Sequence, residues 1–586
     1  MNDYGMLHGA FTGRDVNLVL NNKLVQGNAT LADFWSHDVR GEPLLSSDST
    51  NIFRPISTLS FRANALWSHS IEDTYWYHLT NLGLHVLATF LVGLVVGAVV
   101  FGPHRPVAAL GSTILFALHP VHAEAVGNVS GREDLLLAVF YLLGFLWYAS
   151  FAKSQSTAEN FLGHLGTAVF GFLATFSHEA GVMLGVSVSL YELGKANSSS
   201  HQINLKNLGV TAVWTGVIGY ARTQALGVQL SPGVDPVNNP IGHIQSDPMK
   251  FFLSTSWLYC LQVREIFWTD SYSLDWSGDS ISAVESLSDW RCKYIILLWS
   301  GLAASVILSL FKSSFREAFF IVFGSLTLAP FLVSSNLLFP AEFTKADHIL
   351  YLPSIGACIV YGSLLELLMS RCASSKLKSV LVQSLAAGML LLWLNALYHR
   401  STLFSSPLRV WQTSFTTNSG SHAVRVNAAQ ELRQIGAFAA AEKVLRPLVG
   451  PDADTEVLTL YGTISADMHN CSLVHAYLHD AVMTANDVLG KAIESGKDFS
   501  KERRILSNLL TAQGLCMTLV DIPAAGKVLY AAAVADPTNL FATEQGSNLL
   551  HRVNLMKIQA NKLQQHQLLQ AQVKNIMKNA NRQQGL

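Results

Sequence analysis

Six apolar runs, at residues 84–101, 135–151, 295–311, 318–333, 349–369 and 380–398, limit what this chain can fold into. Only the fifth carries a charge, Glu366. A run near 20 residues with few or no charges is long enough to cross the hydrocarbon core of a bilayer as a helix. The composition agrees. Charged residues make up 13% of the 586 residues, against about 25% in soluble domains, and mean hydropathy is +0.30. The fold class is an all-α membrane protein that crosses the bilayer several times.

The formal net charge is −1 and the pI about 7.1. Nucleic-acid surfaces are held by clustered Lys and Arg, so nucleic acid is excluded as a partner and membrane lipid takes its place. Six cysteines are too few for a disulfide scaffold. Cys260 and Cys292 flank one loop, and Cys471 and Cys516 lie near the C-terminus. One or two bridges stay open, with unpaired thiols the favoured expectation.

The hydropathy pattern predicts ten spans, at roughly 79–101, 106–118, 134–152, 161–176, 180–191, 206–221, 294–311, 318–335, 349–370 and 379–398. Polar turns around His119 and Glu179 interrupt the series. Non-helical backbone at membrane depth is tolerated only where it faces protein or a wet cavity, so these turns point to a site. The mixed stretch 251–268, with Arg264 and Glu265, reads as an interfacial helix. Lys and Arg concentrate in one alternate set of loops, at Arg105, Lys153, Lys195, Lys206, Lys312, Arg316, Arg371, Lys376 and Lys378. That set is expected in the cytosol, and the segments before the first and after the last span in the lumen. The sequons at Asn28, Asn128 and Asn470 fall on the lumenal side, and the one at Asn197 does not.

The resulting domains are a polar lumenal segment, 1–78, a membrane domain, 79–398, a helical region, 399–550, and a polar helical tail, 551–586. The first segment needs a preceding signal or span to reach the lumen. The expectation is a missing first helix, with a truncated gene model simpler than a reverse-anchored first span. In the third region, segments starting at Asn427 and Tyr461 each read helix–turn–helix. Their separation equals the roughly 34-residue period of tetratricopeptide repeats. A third such segment follows an insertion, and Ala440, Ala481, Ala525 and Ala532 stand where paired helices must touch. Degenerate repeats are favoured over an irregular helical domain.

No phosphate-binding Gly-rich loop, nucleophile elbow or Cys-x-x-Cys pair is present. Ionisable residues instead gather at the ends of spans, where they mark functional sites by default. The densest group is "FALHPVHAEAVGNVSGREDLL", with His119, His122, Glu124, Arg132, Glu133 and Asp134. "FSHEAG" adds His178 and Glu179, and "IFRPISTLSFR" adds Arg54 and Arg62. A single histidine at such a place is more often an interfacial hydrogen-bonding residue, but six ionisable groups in one turn argue for a site. His119 and His122 have no third metal ligand at a recognisable spacing, so no metal is expected.

These segments, with "YHLTNLGLH", "VNNPIG", "LDWSGDSISAVESLSD" and "HILYLPSIG", resemble in order and spacing the transmembrane and tetratricopeptide-repeat O-mannosyltransferase (TMTC) family, its fourth animal branch in particular. The resemblance covers roughly residues 11–410. It implies a GT-C-type transmembrane domain followed by a lumenal α-solenoid of degenerate tetratricopeptide repeats, in the endoplasmic reticulum membrane. The implied enzyme is a protein O-mannosyltransferase that takes mannose from dolichyl phosphate mannose, without a cofactor, to Ser or Thr hydroxyls of secretory-pathway proteins, cadherin domains among them.

The family pattern in the first lumenal loop is an aromatic-flanked Asp-Asp, an apolar stretch and Asn-Asn. This chain reads "FTGRDVNLVLNN", so Asp15 keeps the second acid and Arg14 replaces the first. His178 stands for a lysine, and Asp347-His348 for Glu-Arg. The implied reaction is a single inverting displacement with Asp15 as the base. Arg54, Arg62, His119, His122 and Arg132 would face the leaving phosphate, with Glu124, Asp134, His178 and Glu179 orienting them. The alternative is a non-catalytic or truncated membrane scaffold whose repeats bind protein partners. A transporter fits less well, because the polar breaks fall in the first half only.

Overall fold

The computed structural model describes residues 5–551 except 47–48, 69, 153, 155, 196–203, 226–236, 270, 496–498, 519 and 549–550. The expected tail, 551–586, lies almost wholly outside the described residues, as does Asn197. Secondary structure is helical throughout, with one isolated bridge, between His37 and Pro43, among the described residues. Two compact units divide at Asn427.

In the first unit, all ten expected spans coincide with helices, but six are long and apolar enough to cross a membrane. These are Tyr75–Phe101, Val129–Phe151, Cys292–Phe311, Phe315–Ser334, Ser354–Cys372 and Lys376–Leu403. The chain is a multi-pass membrane protein by the length and apolarity of these helices. The other four of the ten expected spans, several of them already short in sequence, fall below that mark for a physical reason. Pro106–Ala117 and Leu184–Lys195 are 12 residues each, too short to cross. Thr157–Ser177 and Leu205–Ala225 are long enough at 21 residues, but Glu159 and His164 in one, and Lys206, Asn207 and Arg222 in the other, dilute their apolar character.

Capping defines the helix starts. Ser156 accepts from Glu159 N–H, Asp247 from Lys250 N–H and Ser375 from Lys378 N–H, each satisfying an orphan donor of the first turn. Proline occupies the first helical position at Pro55 and Pro106, where its missing N–H costs nothing. Helix Pro106–Ala117 packs on Ser354–Cys372 through small residues. A Cβ at Gly362 would sit 2.2 Å from Ser112 Oγ and 2.5 Å from Ala108 O, so the backbones approach as only glycine permits.

Residues 5–74 are more ordered than a polar loop. Phe11, Leu18, Val19, Val25, Val39 and Ile52 join Phe61, Tyr77 and Val129 in one buried cluster. Asn22 ties two turns, donating to Leu18 O and Val39 O. Asp38 accepts from the N–H groups of Arg40, Glu42 and Thr50. Helix Pro407–Thr417 also belongs to the first unit, not to the repeat region expected from 399. Ser414 Oγ accepts from Leu274 N–H, and Asn418 donates to Asp275 O.

In the second unit, Phe438–Leu445 follows the helix that ends at Gln434. Thr455–Asp467 then precedes His475–Glu494, and Ser500–Met517 precedes Ile522–Ala535. These helix–turn–helix pairs fall where the sequence placed them. Ala525 and Ala532 are fully buried, but at the first pair the buried contact is Ala441 and Ala440 is exposed. Cys471 and Cys516 form a disulfide with Cα atoms 5.7 Å apart, which corrects the expectation of unpaired thiols. It pins the turn after Asp467 to helix Ser500–Met517. Cys260, Cys292, Cys358 and Cys372 are free.

Candidate active site

Arg54 occupies the N-cap position of helix Pro55–Trp67. The proline that follows keeps Arg54 out of the helical region and directs its buried guanidinium into a nest of carboxylates. Nε donates to Glu179 Oε2 at 3.0 Å and Nη2 to Glu179 Oε1 at 2.6 Å, a two-point contact. Nη1 bonds Glu133 in the first turn of Arg132–Phe151, and Glu342 Oε2 lies 3.5 Å from Nη2. Arg222, from the last turn of Leu205–Ala225, approaches Glu179 from the other side at 3.3 Å. Its Nη1 donates to Phe53 O and Thr175 O. Burial favours the neutral form of Glu179, but the Arg54 and Arg222 guanidinium groups outweigh it and hold the carboxyl well below its usual range.

The turn that carries His178 and Glu179 folds tightly onto the preceding helix. A Cβ at Gly181 would meet Ala174 C at 2.2 Å. His178 Nδ1 accepts from Ala180 N–H, which leaves the hydrogen of the neutral ring on Nε2, 3.7 Å from Glu179 Oε1. Burial pushes His178 down to about 3.

These groups open onto a cavity of about 60 Å³ whose lining includes Arg54, His178, Glu179, Arg222, Glu342 and His348. Arg14 Nη1 meets Glu342 Oε1 at 3.1 Å, and its guanidinium lies over the Phe343 ring. A smaller adjoining cavity shares His178 and His348 and is lined by Asp134 and Tyr351. His348 Nδ1 is 2.5 Å from Glu124 Oε1. Burial alone would lower the histidine, but the Asp134 and Glu124 carboxylates hold it up to about 9.

The structure therefore brings together Arg54, His178 and Glu179 at the main cavity, with Asp134 and, through His348, Glu124 beside it. It places the other expected residues elsewhere. Arg132 is fully buried and donates to Asn81 Oδ1, Asn64 Oδ1 and Tyr77 O, which ties three helices together. Arg62 donates to Val25 O. His119 sits between Ile266 O and Val121 N–H, and burial pushes it down to about 4. His122 bonds Ser354 Oγ and packs between the Phe116 and Tyr351 rings.

Asp15 is buried one residue from Arg14, the partner of Glu342. Its Oδ2 accepts from Thr12 and Val129 N–H, and its Oδ1 from Ser130 N–H. Among the described residues, no group of three or more His, Cys, Asp or Glu side chains stands close enough to hold a metal. Arg222 and Glu342 escaped the sequence reading. An arginine near the end of a largely apolar helix was the available signal for the first; Glu342, in an irregular loop, left none.

Comparison with known proteins bears on what such a site belongs to. The family model described as protein O-mannosyl-transferase TMTC, DUF1736 matches residues 229–303. The protein O-mannosyl-transferase TMTC4 of Homo sapiens is 30% identical over 392 residues, covering 60% of this chain and 52% of the relative. The protein O-mannosyl-transferase F38B6.6 of Caenorhabditis elegans is 26% identical over 442 residues, 75% of this chain and 59% of the relative. The protein O-mannosyl-transferase TMTC3 of Mus musculus is 27% identical over 378 residues, 61% and 40% respectively. These matches support a place for the chain in the TMTC family. It spans about half the length of the curated relatives it matches. No solved structure matches it.

The segment matched by the TMTC model supplies one wall of a second ionic cluster. Lys345 Nζ lies 3.3 Å from Asp347 Oδ1 and 3.6 Å from Glu265 Oε1. Arg400 donates to Asp347 Oδ2 and to Ser271 O, both at 2.7 Å. Trp276 and Tyr272 lay their rings against Lys345 and Arg400. The neighbours Asp347 and His348 thus serve two different clusters, and the loop carrying them is held from both sides.

Proposed function

We propose that this chain is a GT-C-type protein O-mannosyltransferase of the endoplasmic reticulum membrane. It moves mannose from dolichyl phosphate mannose to Ser or Thr hydroxyls of secretory-pathway proteins, cadherin-type domains among them, by one inverting displacement. The observation that carries this reading is the pair of arginines, buried Arg54 and partly buried Arg222, converging on Glu179 at the wall of one cavity. The leaving lipid phosphate gains negative charge as its bond to the sugar breaks. Preorganised guanidinium groups in a water-poor site stabilise that charge more than water does. Protonated His348 adds a third positive group at the same wall. Glu179 and Glu133 hold Arg54 in place before the donor arrives.

Asp15 acts in this reading by position. Its hydrogen bonds from Val129 and Ser130 fix the turn that carries Arg14, whose guanidinium meets the cavity-lining Glu342. The helix pairs of the second unit act as a degenerate tetratricopeptide α-solenoid, an architecture that makes extended surfaces suited to protein acceptors.

The test uses full-length chain in microsomes with radiolabelled dolichyl phosphate mannose and a purified cadherin domain as acceptor. Donor-dependent labelling is expected, falling about 100-fold in Arg222→Gln. No labelling by the wild-type chain, with protein partners still captured by the second unit, would replace the transferase with the scaffold reading.

A further inference from the structure

The "VNNPIG" segment carries no ionisable group, yet its Asn239 is fully buried. Asn239 Nδ2 donates to Asn336 Oδ1 and to Ala341 O, both at 2.8 Å. Its Oδ1 accepts from Gly242 N–H at 2.9 Å. A backbone carbonyl takes one end of the amide and a backbone N–H the other, so the side chain has one satisfactory orientation. Asn336 Oδ1 also accepts from Ala341 N–H at 2.8 Å, and Thr344 Oγ1 donates to Asn238 O at 3.1 Å.

The segment held in this way opens the loop between the spans Phe315–Ser334 and Ser354–Cys372. Residues 335–343 form no helix or strand, so no regular ladder of hydrogen bonds offsets the entropy of ordering them. Leu337 and Leu338 are 56% and 58% exposed, and packing at those two side chains does not hold the loop either. Asn336 stands at φ 62°, a left-handed conformation that asparagine tolerates. Phe339, Pro340, Glu342 and Phe343 from this loop line the main cavity and give it an apolar side beside Arg54 and Arg222. Asn239 itself does not line that cavity.

We propose that Asn239 is a positioning residue that fixes the loop 336–343 as the apolar side of the donor cavity, an inference that rests on the transferase reading above. A lipid-phosphate donor presents its anionic group to Arg54 and Arg222 and carries apolar carbons next to the phosphate. Phe339, Pro340 and Phe343 meet those carbons in the ground state and the transition state alike. They therefore hold the donor without favouring bond breaking. Asn239 touches no substrate and acts only through the loop.

The experiment compares full-length wild type, Asn239→Asp and Asn336→Gly in the same microsomal assay, with dolichyl phosphate mannose as the varied substrate. Asn239→Asp keeps the acceptor for Gly242 N–H and loses the donor to Asn336 and Ala341. Asn336→Gly keeps the left-handed backbone and removes only the acceptor. Each should raise donor KM by about tenfold with kcat within about twofold, the signature of lost uniform binding. Hydrogen exchange of the purified chains in detergent should quicken in peptides spanning 336–344 and stay as in wild type across 354–372. Unchanged donor KM in both variants overturns the positioning role, even if the loop amides exchange faster. Wild-type exchange across the loop in both variants overturns the clamp itself. A fall in kcat at constant donor KM overturns the proposal too, because the loop would then act on the transition state. If Asn239→Asp does not accumulate, Asn336→Gly decides by the same readings. All of these leave the transferase reading standing. A wild-type chain that transfers no mannose removes that reading, and the positioning role with it.

Discussion

Asp15 and Ser130 stand 115 residues apart in sequence, and the Ser130 N–H donates to Asp15 Oδ1 at 2.7 Å. This bond, with that from Val129, staples the segment before the first span to the turn that opens helix Arg132–Phe151. Burial raises the Asp15 carboxyl from 3.8 to about 6, even though the Thr12, Ser130 and Val129 amides pull the other way. Between those values the folded chain keeps a proton that the unfolded chain has released. Stability should therefore fall as pH rises from about 4 to about 6, by roughly 3 kcal/mol at most, and level off above that. Thermal unfolding in detergent, followed by tryptophan fluorescence, should show this fall in wild type and a flat response over the same window in Asp15→Asn. Parallel curves for the two proteins would refute the coupling.

The Cys471–Cys516 bridge closes a loop with a sequence separation of 45. Such a closure constrains the unfolded chain and is worth about 2–4 kcal/mol. Disulfides also persist mainly in oxidising compartments. The wild-type chain from microsomes should migrate faster on non-reducing gels than Cys471→Ser, and proteolysis of the second unit should quicken in that variant. Equal mobility of the two, with no free-thiol difference, would show that the bridge does not form in the membrane-inserted protein.

Local pattern was enough to place the helices, because length, apolarity and capping residues are properties of short stretches. Ser156, Asp247 and Ser375 can each be read as caps from a few neighbours. The site was legible only where charge sat beside a break in an apolar run, as at Arg54 and Glu179. Which charges were already committed to the scaffold was not legible. Arg54 and Arg132 look equally available in sequence, yet Arg132 is consumed by Asn64, Tyr77 and Asn81, contacts that arise only when three helices pack. Glu342 and Arg14 are separated by most of the first unit, and nothing in either neighbourhood announces the pair. The disulfide was open for a similar reason, since spacing does not specify connectivity.

The sequons test the orientation proposed for the chain. Asn28 and Asn470 are exposed, whereas Asn128 is buried immediately before the span Val129–Phe151. With the segment before the first span and the second unit both in the lumen, Asn28 and Asn470 should carry glycans and Asn128 none. Endoglycosidase treatment should then increase mobility by two steps in wild type, one in Asn28→Gln and none in the Asn28→Gln, Asn470→Gln double variant. A glycan at Asn197 instead would invert the orientation and place the cavity on the wrong side for a lumenal acceptor.

His348 offers the complementary pH test. The Glu124 and Asp134 carboxylates hold it up to about 9, against an ordinary value of 6.5, even though burial pulls it down. The folded chain therefore binds a proton that the unfolded chain has lost between those values. The stabilisation is complete below about pH 6.5 and disappears as pH rises through about 9, a total of order 3 kcal/mol. An arginine at this position stays charged throughout that range and pairs with carboxylates in the same way. His348→Arg should thus match wild type near pH 6.5 and melt at a higher temperature near pH 9. His348→Gln should be less stable than wild type at pH 6.5 and close to it at pH 9, because both then face Glu124 without a positive charge. If wild type and His348→Arg lost stability together over this range, the ion pair with Glu124 would not be what the pH dependence reports.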